Sequence, residues 1–166
     1  MLQLSEKQIR ASFINASLRE RKALTLPENF AELSWERRDF LGWRDPKLPL
    51  VGYVVATLDE QPEQPIGIMF RKSEGKIRSR AQCSWCEDVD LPNDVVFFNA
   101  KAGGQAGRDG DTIGMLVCAN FECSTNVRAM KSLPYLGFDR EAEVARRITV
   151  LQDHVRNFVI RVRDGE

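Results

Sequence analysis

Apolar positions near the start of the chain fall at helical intervals. Ile9, Phe13 and Ala16 step along one face, Ser5 stands before them, and Gln8 three residues after that serine completes a capping box, so the pattern predicts a helix from residue 6 to about 20. Ser34 could cap a shorter helix over WERRDFL, with Gly42 at its end and Pro46 and Pro49 preventing continuation, and turns are expected through residue 49. The period then changes. LVGYVVATLD (50–59) and PIGIMFRK (65–72) are β-branched and aromatic runs joined by the polar, proline-bearing EQPEQ, the pattern of a hairpin in which Gly52 and Gly67 mark bulges or close approach.

A second strand pair follows. DVVFFNA (94–100) and TIGMLVC (112–118) flank the glycine-rich GGQAGRDGD, expected to be a mobile contact loop. Asn120 can cap a helix running to about Lys131, with Val127 and Met130 on the face of Cys123 and Pro134 as its stop. The last helix is expected from Arg140 to Val162, because Val144, Ile148, Leu151, Val155, Phe158 and Val162 form an amphipathic stripe suited to a sheet face. The class is α+β: antiparallel hairpins with flanking helices, residues 1–34 forming an N-terminal helix and connecting loop and residues 35–166 carrying the rest.

A length of 166 residues suits one core. Lys and Arg number 24 and so do Asp and Glu, and the zero net charge removes the global basic excess expected of a duplex-binding protein. The opening MLQLSEKQIR interrupts any apolar run with charge, and no window approaches the ~18 apolar residues of a membrane span, so the expected setting is the cytoplasm, away from membranes.

Scarcity makes the cysteines informative. There are four, beside a single histidine, and they read Cys83-x2-Cys86, then 31 residues, then Cys118-x4-Cys123. Two close pairs separated by a hairpin's length of chain can bring four thiolates to one tetrahedral zinc, with Zn–S near 2.3 Å. A knuckle, a hairpin and a ligand at the start of a helix is the order of a treble-clef finger, and with every position filled by protein the metal's role is structural. Disulfides would need an oxidising compartment, a thioredoxin-type pair would need a helix opening at Cys83, and an iron–sulfur cluster is chemically open to the same thiolates.

Other chemistry is sparse. His154 lies inside the last helix without triad partners, and GGQAGRDGD lacks the Lys-Ser/Thr ending of a phosphate loop, so neither an enzyme nor a small-molecule substrate is expected. Lys101, Arg108, Arg128 and Lys131 could form a basic face for a partner, although Asp109, Asp111 and Glu122 among them equally fit a solvated surface. Trp43, Phe121 and Tyr135 are either apolar anchors for a partner or core.

Four segments, LGWRDPKLP (41–49), CSWC (83–86), AGRDGDTIG (106–114) and CANFECSTNVR (118–128), occur in an order that resembles the C-terminal zinc-binding domain of the elongation factor G binding proteins, the FusB/FusC family associated with fusidic acid resistance. The resemblance covers about residues 35–132 well and the final helix loosely. It implies a noncatalytic four-cysteine treble clef on a mixed α/β domain, with Cys83, Cys86, Cys118 and Cys123 as ligands. It also implies binding to elongation factor G and release of that factor from a drug-stalled ribosome. The expectation is thus a zinc-stabilised module engaging elongation factor G or the ribosome; the alternative is a zinc-finger RNA-binding protein that contacts ribosomal RNA through Lys101, Arg108, Arg128 and Lys131.

Overall fold

The β-branched and aromatic runs assemble one sheet. In the computed structural model, which describes residues 1–58, 61–75, 81–88, 93–129 and 137–166, strands β1 (Leu41–Arg44), β2 (Val51–Leu58), β3 (Gln61–Lys72), β4 (Val95–Lys101) and β5 (Thr112–Cys118) lie side by side in chain order, all antiparallel. Both expected hairpins are present, although β3 begins at Gln61 and so takes in most of the EQPEQ segment expected to connect the first pair. β4 and β5 pair without a slip from Val95 opposite Cys118 to Lys101 opposite Thr112. β2 and β3 shift register between Ala56 and Leu58, so the irregularity is not at a glycine. Gly52 and Gly67 are instead places of close approach: a Cβ on Gly52 would stand 2.7 Å from the Phe121 ring, and one on Gly67 2.5 Å from the Ser12 hydroxyl.

The sheet is covered on both faces, which is why β2 reads as a nearly unbroken apolar run. Val54, Ala56, Ile68 and Phe70 turn to one side and pack with Phe98, Val117 and Phe158. Val51, Tyr53, Val55 and Met69 turn to the other and pack with Ile9, Phe13, Leu41 and Trp43. Helix α5 (Arg140–Asp164) closes the first side, as its stripe predicts: Leu151, Val155, Phe158 and Val162 are buried, joined by Val159, while Val144 and Ile148 are half-buried. Asp139 caps it by accepting from the Ala142 N–H at 2.9 Å.

Several local expectations are corrected. The first helix divides into α1 (Glu6–Ser12) and α2 (Leu18–Ala23), because Ser17 and Glu20 form a second capping box that starts a new helix. Between them the chain turns extended, Phe13 bridges to Gly67, and the Asn15 side chain bonds both the N–H and the carbonyl of Met69, at 2.8 and 3.0 Å. WERRDFL keeps only a 3-10 turn at Trp35–Arg37, and the following residues enter the sheet as β1 where turns were expected.

The glycine-rich segment holds a helical turn, α3 (Gly104–Asp109), ended by Gly110 at φ 100° and anchored where the Gly103 N–H donates to the Val162 carbonyl at 2.6 Å. The helix expected from Asn120 begins later, as α4 (Cys123–Asn126), since Phe121 at φ 60° interrupts the chain before it. Lys131, Met130, Pro134 and Tyr135 lie outside the described residues. No helix among the described residues is long and apolar enough to cross a membrane.

Candidate metal centre

Each thiol pair is set by its own turn. In the knuckle, the Ser84 N–H donates to the Leu116 carbonyl at 2.8 Å and the Glu87 N–H to the Cys83 carbonyl at 2.9 Å, tying residues 83–87 to β5. Trp85 between the two cysteines is fully buried, edge-on to Phe40 with centroids 5.0 Å apart. On the opposite side, Cys118 ends β5, the Phe121 N–H donates back to its carbonyl at 2.9 Å, and Cys123 opens α4. Phe121, held in its left-handed conformation, stacks on Phe98 at 5.1 Å and so plants the turn on the sheet.

The result brings all four sulfurs within 4.8 Å of one another. Cys83 and Cys123 are 3.6 Å apart, and Cys86 and Cys118 3.7 Å. Four sulfurs at about 2.3 Å from a common zinc stand roughly 3.8 Å from each other, so the cluster has the size of a zinc tetrahedron and is far wider than a disulfide. All four thiols are buried and free.

Hydrogen bonding among the thiols moves their acidities apart. Hydrogen bonds from Cys118, Cys123 and Cys86 hold the Cys83 thiol far below its ordinary range. Cys123, which donates toward Cys118, Cys83 and Cys86 and is desolvated, is pushed well above it. Cys86 is lowered with Cys83 and Cys118 is raised with Cys123, so each pair close in sequence shifts together, and binding of a divalent cation requires all four as thiolates.

Asn126 and Asp39, which the sequence did not single out, complete the site together with Arg128 and His154. Asn126 donates its amide to Cys118 Sγ at 3.3 Å and to Cys86 Sγ at 3.9 Å, a donor bridging the two thiol pairs from behind. Its signal was available, since a polar residue three positions after Cys123 falls on the same side of a helical turn. The Asp39 carboxylate, 2% exposed, receives Arg128 at 2.6 and 3.1 Å, and Arg128 also bonds the Ser124 carbonyl at 2.7 Å. His154 stands at the knuckle, with Nδ1 3.1 Å from the Trp85 carbonyl, which requires that nitrogen to be the protonated one.

Among the described residues, Lys101, Arg108 and Arg128 of the expected basic face are held in different settings. Lys101 is exposed at the end of β4, and Arg108 is exposed on α3 with its Nε donating to Gln105 at 2.9 Å. Arg128 is instead locked to Asp39, which also receives Gln152 of α5 at 3.1 Å. Gln152 and the Val162 carbonyl that anchors Gly103 are roughly 15 Å apart along the helix axis. Trp43 and Phe121 are core, the indole N–H of Trp43 donating to the Thr25 carbonyl at 2.8 Å.

The family model described as the FBP C-terminal treble-clef zinc-finger matches residues 8–162. Among solved structures, the fusidic acid resistance protein FusC is similar with a TM-score of 0.56 at 21% identity, over 76% of this chain and 53% of that one. At that identity the likeness is one of fold, and the chain spans about half the length of that relative. No curated protein matches the sequence.

Proposed function

Because the chain belongs to the FBP C-terminal treble-clef zinc-finger family, we propose that Cys83, Cys86, Cys118 and Cys123 hold one structural zinc ion. We further propose that the domain is a noncatalytic adaptor for elongation factor G or the ribosome, acting in the cytoplasm. The carrying observation is the set of four buried thiols at tetrahedral spacing within that family's fold. With all four ligands supplied by protein, the ion has no open position for a water or substrate, so its contribution is to fix the knuckle against β5 and α4. Asn126 stabilises the thiolate form of Cys118 and Cys86 through its amide. Residues 35–166 carry the finger and residues 1–34 brace the far side of the sheet. The resemblance to FusB/FusC supplies the partner, and Lys101 and Arg108 remain available for it because neither forms an ion pair with a described residue.

Capture of purified elongation factor G by the immobilised zinc-loaded chain, at two salt concentrations and with and without ribonuclease, tests this reading. Retention after nuclease treatment is expected. Loss with nuclease, together with a steep salt dependence, would transfer the function to RNA binding. Absence of zinc in protein purified without added metal would remove the ligand assignment.

A further inference from the structure

Between β1, the turn before Cys123 and the segment around Leu33 lies a cleft of about 310 Å3. Its walls include Trp43 and Phe121, with Asn120, Glu122 and two arginines, Arg38 and Arg44, supplying the polar groups. Each arginine has a buried Nε without a hydrogen-bond partner. Arg44 gives one N–H to the Ala119 carbonyl at 3.2 Å and lies 5.6 Å from the centre of the Phe98 ring, and burial pulls its pKa down. Arg38 makes no side-chain hydrogen bond or ion pair among the described residues.

The carboxylates that directly adjoin the two arginines in sequence, Asp39 and Asp45, and Glu122 in the cleft wall all hold other partners, Asp45 accepting from the Lys47 and Leu48 N–H groups and the Tyr53 hydroxyl. Asp39 is held by Arg128 and Gln152, and Glu122 accepts from the backbone N–H and side-chain amide of Asn120 at 3.1 and 2.9 Å. Half-buried guanidinium groups without a counter-ion are unfavourable, and their planar fork of donors is matched best by a planar oxyanion.

We propose that this cleft is a socket for a carboxylate side chain, aspartate or glutamate, presented by a protein partner. A carboxylate places one negative charge between Arg38 and Arg44 while its methylenes lie against the Trp43 and Phe121 walls. Glu122 in the same wall repels a doubly charged phosphate more strongly than a monocarboxylate, and a chain of zero net charge has no global attraction for a polyanion. The socket is independent of the elongation factor reading, and either can fail alone.

Nuclear magnetic resonance titration of the zinc-loaded full chain tests it, following the Arg Nε–H and Trp43 indole N–H signals. The probes are a blocked alanine pentapeptide carrying two glutamates, the same peptide with glutamines, and inorganic phosphate. Saturable shifts with the glutamate peptide alone are expected, weakened about tenfold or more in Arg38→Gln, since a hydrogen bond to a charged group is worth that much. Arg44→Lys, which keeps the charge and loses the fork, should weaken binding less, and Glu122→Gln should tighten it. Equal shifts with the glutamine peptide, tighter binding of phosphate than of the glutamate peptide, no shift with any probe, or unchanged binding in a folded Arg38→Gln chain would each overturn the proposal.

Discussion

On one face of the sheet, α5 and the cysteine cluster close over Phe70, Phe98 and Phe121, and on the other α1, α2 and the segment through Trp35 are held without any thiol. The second face depends on distributed polar contacts. Arg10 donates to the carbonyls of Arg21, Lys22 and Leu24 at 2.8, 3.2 and 2.9 Å, Asn15 clamps both peptide groups of Met69, and Asp45 accepts from the Lys47 and Leu48 N–H groups and from Tyr53. Each such bond contributes about 1 kcal/mol, so losing one weakens that face without dissolving it. The thiol face concentrates its stability in one ion, where loss of a single ligand affects every element that meets there.

That contrast is broken most sharply at Cys118. Cys118→Ser should lose zinc and melt the knuckle, the end of β5 and α4, because structural zinc contributes on the order of 10–16 kcal/mol in finger peptides against ~5–15 kcal/mol for a whole domain. Elemental analysis, helicity and limited proteolysis read this, and unchanged metal content with unchanged stability would refute it.

Next in size is Arg128→Ala. A surface cation of this kind is expected from sequence to cost under about 0.5 kcal/mol, yet removing it leaves the Asp39 carboxylate, 2% exposed, without its counter-charge and with only the Gln152 amide. A loss of about 3 kcal/mol in urea unfolding is expected, whereas Arg108→Ala, exposed on α3, should be neutral. Equal effects would show that the Asp39 clasp contributes nothing.

Asn15→Ala should come third, at about 1–2 kcal/mol, detected as faster amide exchange in α1 with the zinc content intact. The smallest effect separates the faces by pH. Burial and the hydrogen bond to Asp45 raise the Tyr53 phenol above its ordinary range. An acid whose pKa is higher folded than unfolded stabilises the fold below the unfolded value, near 10, and the benefit declines as pH rises past it. Wild type should therefore lose about 1 kcal/mol more than Tyr53→Phe in strong alkali. The thiol face should fail at the other end, releasing zinc as thiolates protonate in acid.

How much of this could be read from residues alone depended on the range of the interaction. The spacing of the cysteines, the two hairpins and the stripe of α5 are local or periodic, and they stand where the pattern put them. β1 is only four residues long and exists because β2 offers it an edge, so no period announces it. The division of α1 from α2 was legible in Ser17 and Glu20 and was outweighed by the apolar spacing. The Arg128–Asp39 clasp joins positions 89 residues apart and has no local trace at all. α3 was misjudged because glycines suggest freedom, whereas Gly103 here permits its backbone to dock on the end of α5.

The Ser84 to Leu116 hydrogen bond has a consequence for the order of assembly. One thiol pair leaves the end of β5 and the other is fastened to its middle, so the β4–β5 hairpin is the template on which both halves of the cluster are laid. Closing the 31-residue interval between Cys86 and Cys118 costs about 3 kcal/mol of chain entropy by the logarithmic rule, and a hairpin already formed within that interval removes most of the search. Folding is thus expected to nucleate in the middle of the chain and spread outward, with α5 and the N-terminal segment arriving last. In pulse-labelling exchange, the amides of β4 and β5 should gain protection before those of α1, and the reverse order would place the nucleus elsewhere.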